Sequence, residues 1–412
     1  MAGAPILIPE VTKGFSGSLG IAFLLSNNRK LIKLRIVLWG LGLQFLLALI
    51  ILKIPFIKSN LFIFDTFIKT LISFSDQGSN FLFESFVPGV GYHVAMINFA
   101  FRALPVIIFF SSLISVAYYF GIIQFVVSWV SKIMEKSMKT SGPETLSVSA
   151  NIFVGQTEAP ILIRPYINKM TNSELMAVMT GGFATVAGSV LALYVLWLSN
   201  IDGIAGHLLT ASIMSAPASL VIAKIIYPET KEPNKIHDLN FSTEGKAENV
   251  MDALGKGATD GLKLAANVGA MLIAFISVIS MINYSLDYFF NISMQEIMGF
   301  LFSPLAWTMG IPWEEANIVG TLMGEKIVLT ELIAYSNLSE LINNNNISER
   351  TAIIASYALC GFANFGSVGI QLGGVGGMAP KRRKDLSKLA LKAMFGGALA
   401  SWLTATIAGV LI

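Results

Sequence analysis

The chain has 412 residues, of which 54% are hydrophobic and 13% charged, with a mean hydropathy of +0.68. Soluble domains carry roughly 25% charged residues, so this composition describes a polytopic helical membrane protein. A net charge of +3 suggests no nucleic-acid partner, and the single cysteine, Cys360, excludes an internal disulfide and a cysteine-based metal cluster.

In chain order, no signal peptide is expected, because Met1-Ala2-Gly3 opens without a basic region. Residues 1–26 are apolar but interrupted by Pro9, Glu10, Lys13 and Ser16, which predicts a short, tilted or poorly lipid-exposed first helix. Residues 36–55 form a clear span. Residues 56–95 mix Asp65, Lys69, Asp76 and Glu84 with aromatics and read as an external loop with an interfacial helix. Residues 96–124 span again. Residues 125–140, with Trp129, Lys132, Lys136 and Lys139, are amphipathic and fit a helix lying in the interface. A hairpin follows at about 143–169, then spans at about 173–198 and 206–227. Residues 228–260, marked by Pro228 and Pro233, read as a linker rather than a domain. A span is expected at about 262–285, a second interfacial helix at 286–311 and a second hairpin at 312–337. Asn343-Asn344-Asn345-Asn346 marks a surface loop, and spans at about 350–378 and 386–411 end the chain.

The first hairpin carries Gly155-Gln156-Thr157-Glu158-Ala159-Pro160 between two apolar runs. Gly and Pro break the helical ladder, and the polar residues between them need partners in lipid. Broken backbone at membrane depth survives only where it is buried or lines a cavity. The stretch therefore reads as a re-entrant tip facing a polar ligand, the plainer reading being a turn between two helices. The two hairpins are followed by related breaks, Gly182-Phe183-Ala184-Thr185-Val186-Ala187-Gly188-Ser189 and Gly361-Phe362-Ala363-Asn364-Phe365-Gly366-Ser367. Paired interrupted segments in inverted halves point to a central site between them.

Basic residues set the expected orientation. One side holds Arg29, Lys30, Lys33, Arg35, Lys132, Lys136, Lys139, Arg164, Lys169, the Lys224–Lys263 region and Lys381-Arg382-Arg383-Lys384. The other holds mainly Lys53, Lys58, Lys69 and Arg350. The first set should be cytoplasmic, in a plasma (inner) membrane. This works only if each hairpin dips in and returns to its own side, the first from the cytoplasm and the second from outside.

Glu158 and Glu331 are the carboxylates of the two hairpins, suited to accept hydrogen bonds from a polar, uncharged solute. The alternative is structural pairing with a cation such as Lys326 or Arg164. Asn364 and Ser367 can donate and accept toward hydroxyl groups, with Phe362 as an apolar wall, or act as helix–helix glue. Asn151 and Thr185, with carbonyls freed at Val154 and Val186, present neutral oxygens of the kind that hold Na⁺ in transporters. As helix caps they would be equally ordinary. His93, His207 and His237 form no metal spacing and are expected in solvated loops, and Gly373-Gly374-Val375-Gly376-Gly377 reads as close helix packing.

Together, the G-Q-T-E-A-P stretch with Arg164-Pro165-Tyr166, the A-G-S-V break, Cys360-Gly361-Phe362-Ala363-Asn364 and Ala379-Pro380-Lys381-Arg382-Arg383 resemble the concentrative nucleoside transporters, from about Ser26 to the C-terminus. The resemblance implies an all-α membrane protein with about eight transmembrane helices plus two re-entrant hairpins, an inverted repeat with broken helices, and a homotrimer. It implies N-terminal scaffold helices at 1–124 and a first transport half at 125–227. A cytoplasmic linker would occupy 228–261, a scaffold helix 262–285, and a second transport half 286–412. It places base binding at Gly155, Gln156, Thr157, Glu158 and Val190, and ribose binding at Glu331, Asn364 and Ser367 beside Phe362. It places Na⁺ at Asn151, Val154, Thr185 and Val186, with no cofactor beyond Na⁺ as coupling ion. Expected partners are a nucleoside, Na⁺ and membrane lipid. Proton coupling is the near alternative. A membrane-embedded enzyme using Glu158 and Glu331 would need a nucleophile or metal that no spacing here supplies, and a passive channel is the remaining rival.

Overall fold

The computed structural model describes residues 8–82, 99–231 and 247–412, all helices and connections without strands. His93 and His237, the end of the expected external loop and the centre of the expected linker lie outside the described residues, as does the Lys58 side chain.

The first helix, α1 (Ile8–Leu24), is short, as its interruptions require, and packs on three later helices rather than standing alone in lipid. Next comes α2 (Leu34–Lys53), an almost wholly apolar span. The mixed region that follows is one 28-residue helix, α3 (Pro55–Leu82), longer than the interfacial piece expected there. Proline at its first position costs no hydrogen bond, and the charges scattered along it do not break a helix. Then come α4 (Phe99–Tyr119) and the amphipathic α5 (Ile122–Met138). The described part of α4 and α5 meet at 74° across Gly121, whose positive φ makes the corner.

The first hairpin is α6 (Gly142–Ala150), an irregular tip, a 3₁₀ turn over Ala159–Ile163 and α7 (Arg164–Ile167). It is followed by α8 (Asn172–Ala184) and α9 (Gly188–Trp197), separated by the expected break at 185–187. Next is α10 (Ile204–Ile226). The span expected from 262 begins earlier, as the 41-residue α11 (Val250–Phe290), with Asn249 accepting at its N-cap. Asp252, Lys256, Asp260 and Lys263 lower the hydropathy of its first turns, but they are ordinary in a helix and end no backbone ladder.

The second interfacial segment is α12 (Met294–Thr308). The second hairpin is α13 (Trp313–Val328) and α14 (Glu331–Asn343), with Leu329 and Thr330 as its tip. The second broken helix is α15 (Glu349–Leu359) and α16 (Phe365–Met378), and α17 (Arg383–Leu411) ends the chain. Among the described residues, five helical segments are long and apolar enough to cross a membrane: α2, α8 with α9, α10, α11 and Pro380–Leu411. At 11 and 14 residues, α15 and α16 each fall short of the roughly 20 a crossing needs, as expected of a broken helix.

Contacts gather the basic segments at one end. Arg35 donates to the Ser137 carbonyl, Asn27 N–H to the Ile226 carbonyl, Lys392 to Asn27, and Arg382 to the Met170 carbonyl. Both limb ends of the first hairpin are therefore at this end. At the opposite end, Asp65 accepts from Ala205 N–H, Lys69 donates to the Ser199 carbonyl, and Asn200 meets Asn343. Glu315 there accepts from Ser348, joining the start of the second hairpin to the segment after it. Each hairpin thus enters and leaves by its own end, and the two enter from opposite ends.

His207 departs from its expected solvated loop. It sits in the first turn of α10, half-buried, with Nδ1 3.1 Å from the Tyr357 hydroxyl and its ring edge-on to that tyrosine. The helix starts at Ile204, before the residue at which the apolar run becomes continuous.

Candidate functional site

The two helix breaks cross. Phe362 N–H donates to the Thr185 carbonyl at 3.3 Å, and Gly361, at φ +123°, lies so close to Phe183 and Ala184 that a Cβ would sit 2.7 Å from the Phe183 carbonyl oxygen. Only glycine meets both demands. The first hairpin tip rests on the same place, with Gly188 N–H donating to the Phe153 carbonyl at 3.1 Å.

At the second tip, Thr330 caps α14 and Glu331 occupies its first position, 2% exposed. Its carboxylate accepts from the Tyr194 hydroxyl at 3.1 Å and from Asn364 Nδ2 at 2.8 Å. Asn364 caps α16 by accepting from Ser367 N–H at 2.7 Å, which fixes its amide so that nitrogen faces Glu331. Structural pairing of Glu331 with Lys326 is not what the chain adopts. Lys326 directs its ammonium to the Ala358 and Cys360 carbonyls and to Ser401 Oγ, at 2.9, 3.4 and 2.7 Å. It thereby satisfies the carbonyls at the end of α15, where the helical ladder stops.

From Asn364 the polar line continues along α16 to Ser367 and Gln371, all three buried. Their spacing of three and then four residues places them on one helix face, spread over about 10 Å at 1.5 Å per residue. Gln371 Nε2 donates to Gln156 Oε1 at 3.0 Å and to the Met179 carbonyl at 3.1 Å, joining this face to the first hairpin tip. Glu158 turns back to accept from Gly155 N–H at 2.9 Å and is otherwise exposed, while Arg164 lies further along the hairpin, also exposed. Thr157 packs on Gly374, where a Cβ would stand 2.7 Å from Thr157 Cγ2, so part of the glycine-rich segment is indeed a close contact. Val190 is buried in the first turn of α9, and Phe362 is half-buried beside the crossing.

The expected cation set is divided between the first hairpin tip and the α8–α9 break, two segments joined by the Gly188–Phe153 hydrogen bond. Asn151 donates to the Ser147 carbonyl at 3.0 Å, but its Oδ1 is buried without a partner. Thr185 donates to the Gly181 carbonyl at 3.0 Å, which leaves its oxygen lone pairs free. No described residue donates to the Val154 or Val186 carbonyl. Buried carbonyls are nearly always paired, and unused neutral oxygens such as these are the ligand type a hard cation takes.

Two residues of this arrangement were not expected. Tyr194, stacked on Tyr335 at 4.0 Å, belongs to an apolar helix whose periodicity gives it no distinction. Gln371 did carry a signal, as the third polar residue on one face of a glycine-rich helix.

An all-helical membrane protein with two opposed hairpins, two crossed helix breaks and a buried polar line between them has the architecture of a secondary transporter. The chain belongs to the Na⁺ dependent nucleoside transporter family. That family's C-terminal model matches residues 207–409, its N-terminal model residues 14–86, and a nucleoside recognition (Gate) model residues 100–200. It is 43% identical over 401 residues to the uncharacterized transporter YutK of Bacillus subtilis, covering 96% of this chain and 97% of that one. It is 40% identical to the mouse sodium/nucleoside cotransporter 1, covering 98% of this chain but 64% of that longer protein. The structure of CNTnw in an inward-facing substrate-bound state superposes with a TM-score of 0.92 at 41% identity, covering 98% of this chain and 99% of that one. A doubly substituted CNTnw in an outward-facing state gives the same TM-score at 40% identity, covering 99% and 98%. The family consists of transporters rather than enzymes.

Proposed function

We propose that this protein imports nucleosides by symport with Na⁺, using an elevator-type movement of a transport domain against a scaffold. The observation that carries this reading is the line Glu331–Asn364–Ser367–Gln371–Gln156, held between two hairpin tips. Its chemistry is that of neutral amides and hydroxyls with a carboxylate at each hairpin. A nucleoside is polar and uncharged and has two chemically different ends, so it is held by hydrogen bonds rather than ion pairs. Glu331, Asn364 and Ser367, with Phe362 beside them, take the ribose hydroxyls. Gly155, Gln156, Thr157, Glu158 and Val190 take the base.

Na⁺ is held by Asn151 Oδ1, Thr185 Oγ1 and the carbonyls of Val154 and Val186. None of these titrates near neutral pH, which favours Na⁺ over a proton; Glu158 is the ionisable group a proton mechanism would use. Cation binding orders the first hairpin tip against the α8–α9 break and so favours the nucleoside-competent state, and the nucleoside favours the cation in return. Basic loops face the cytoplasm of a plasma (inner) membrane. Three copies associate through apolar faces such as that of α11, on which Ile273, Met281, Tyr284 and Tyr288 are exposed.

Nucleoside uptake into liposomes, with sodium and pH gradients imposed separately, tests the reading. Accumulation against a nucleoside gradient only when sodium is supplied is the expected result. Uptake that tracks an imposed pH gradient without sodium replaces Na⁺ by a proton, and equilibration without accumulation makes the protein a channel.

A further inference from the structure

We propose that Gln371 is a positioning residue that locks the Gln156 amide with its oxygen turned inward and its nitrogen free. The base end of the site then selects nucleobases that present a carbonyl oxygen over those that present an amino group in the same place. The inference rests on the nucleoside reading and deepens it.

The orientation follows from one fixed acceptor. The Met179 carbonyl can only accept, so the atom of Gln371 that lies 3.1 Å from it is the amide nitrogen. The same nitrogen lies 3.0 Å from a terminal atom of Gln156, which must then be oxygen. Reversing Gln371 would set its oxygen against the Met179 carbonyl, and reversing Gln156 would set two NH₂ groups against each other. Both amides are therefore determined by a backbone carbonyl of α8. No described residue accepts from Gln156 Nε2, so its two N–H groups are left for a solute.

The pair has no room to rearrange. A Cβ on Gly182 would stand 2.6 Å from Gln371 Nε2 and 3.0 Å from Gln156 Cβ, so the bare α8 backbone is the wall on which both amides lie. Gln371 is 1% exposed and its Oε1 is buried without a partner. Gln371 thus acts on a solute through Gln156 rather than by contact.

A fixed NH₂ group matches the carbonyl of uracil, thymine or guanine and opposes the exocyclic amine of cytosine or adenine. A site built to hydrogen-bond one group rejects the analogue that cannot answer it. Uridine and cytidine, which differ at this substituent, are the probes.

The experiment measures the dissociation constants of uridine and cytidine on the full-length protein in nanodiscs at saturating Na⁺. Wild type should favour uridine. Gln371→Glu, as a neutral carboxyl, would donate its O–H to Met179 and accept from Gln156, turning the Gln156 amide over. The uridine-to-cytidine preference should then shift toward cytidine by about tenfold, the factor a single mispaired hydrogen bond commands. Gln371→Leu frees Gln156 and should bring the preference toward one, and it decides the matter alone should the glutamate variant not fold. An unchanged preference in the folded variants, or a wild type that favours cytidine, overturns the inference. If Gln156→Ala alters the preference while both Gln371 variants leave it alone, only this inference falls. If wild type binds neither nucleoside, the nucleoside reading falls with it.

Discussion

The two hairpins occupy equivalent places in the repeat but carry their buried charged anchors at opposite points along their length. The first is tied at its base. Lys224 lies 2.7 Å from Glu144 and 3.6 Å from Glu229, Glu144 also accepts from Ser141 N–H, and all of them are buried. Its other limb is held by Arg382, which reaches the Ile167, Asn168 and Met170 carbonyls and the Asn172 side chain. The second hairpin is tied close to its tip, where Lys326 grips the end of α15 and Glu331 is held by Tyr194 and Asn364. Their tips differ accordingly. The first is irregular over 151–158 and leaves carbonyls unused, whereas the second loses only two residues of helix and presents a capped carboxylate. An inverted repeat thus supplies two broken hairpins but not two copies of one site. Loosely paired backbone suits a cation, and a rigidly held carboxylate suits hydroxyl groups.

The most severe test of this contrast is Glu331→Ala. It strands the Tyr194 hydroxyl and the Asn364 amide and removes hydrogen bonds to a charged group worth ~1.5–3 kcal/mol each, so uptake should fall more than ~100-fold. Size-exclusion chromatography should show unchanged folding and assembly. Near-normal uptake with unchanged affinity would mean that the second tip is not where the solute is held.

The anchors should separate stability from binding. Lys224→Met leaves Glu144 and Glu229 buried without their cation and should cost about 3–5 kcal/mol, read as a lower Tm in detergent with nucleoside affinity retained in the folded fraction. Lys326→Met releases the carbonyls beside the second break, at ~1.5–3 kcal/mol for each lost hydrogen bond, and should weaken nucleoside binding about tenfold in the folded fraction as well as lower Tm. Equal effects on both readouts in both variants would erase the distinction between base and tip anchoring.

A smaller effect is expected at the first tip. Thr185→Ala removes one side-chain oxygen of the proposed cation set and keeps the backbone. The sodium concentration for half-maximal uptake should rise several-fold, while nucleoside affinity at saturating sodium changes little. A loss of nucleoside affinity that sodium cannot restore would assign Thr185 to the solute instead.

The smallest difference sharpens the division between the two ends. Deoxyuridine should bind more weakly than uridine by about fivefold, through one lost hydroxyl contact at the Asn364–Ser367 end. Gln156→Ala should leave that ratio unaltered, since its amide is assigned to the proposed base end. A change in the ribose-to-deoxyribose ratio in this variant would reverse the assignment of the ends.

Much of this architecture was legible from residue types alone. Glycine, proline and polar residues inside apolar runs marked both tips and both breaks, because a helix in lipid cannot leave its backbone unpaired without a local cause. The distribution of lysine and arginine required each hairpin to return to its own side, and the contacts at the two ends agree with that requirement. Helix lengths were less legible. The first turns of α11 and the start of α10 at Ile204 are helical although their polarity places them away from lipid, because hydropathy reports depth and not hydrogen bonding. What only the tertiary structure decided is which groups meet. Tyr194 reaches Glu331 across 137 positions, Gln371 reaches Gln156 across 215, and Lys326 spends its donors on α15 and α17 rather than on the nearby Glu331. Those pairings depend on two breaks crossing at a glycine, Gly361, which lets backbones approach more closely than side chains allow. Local sequence determines where a helix must stop; the packing of the stopped ends determines which buried oxygens and amides are left to bind a solute.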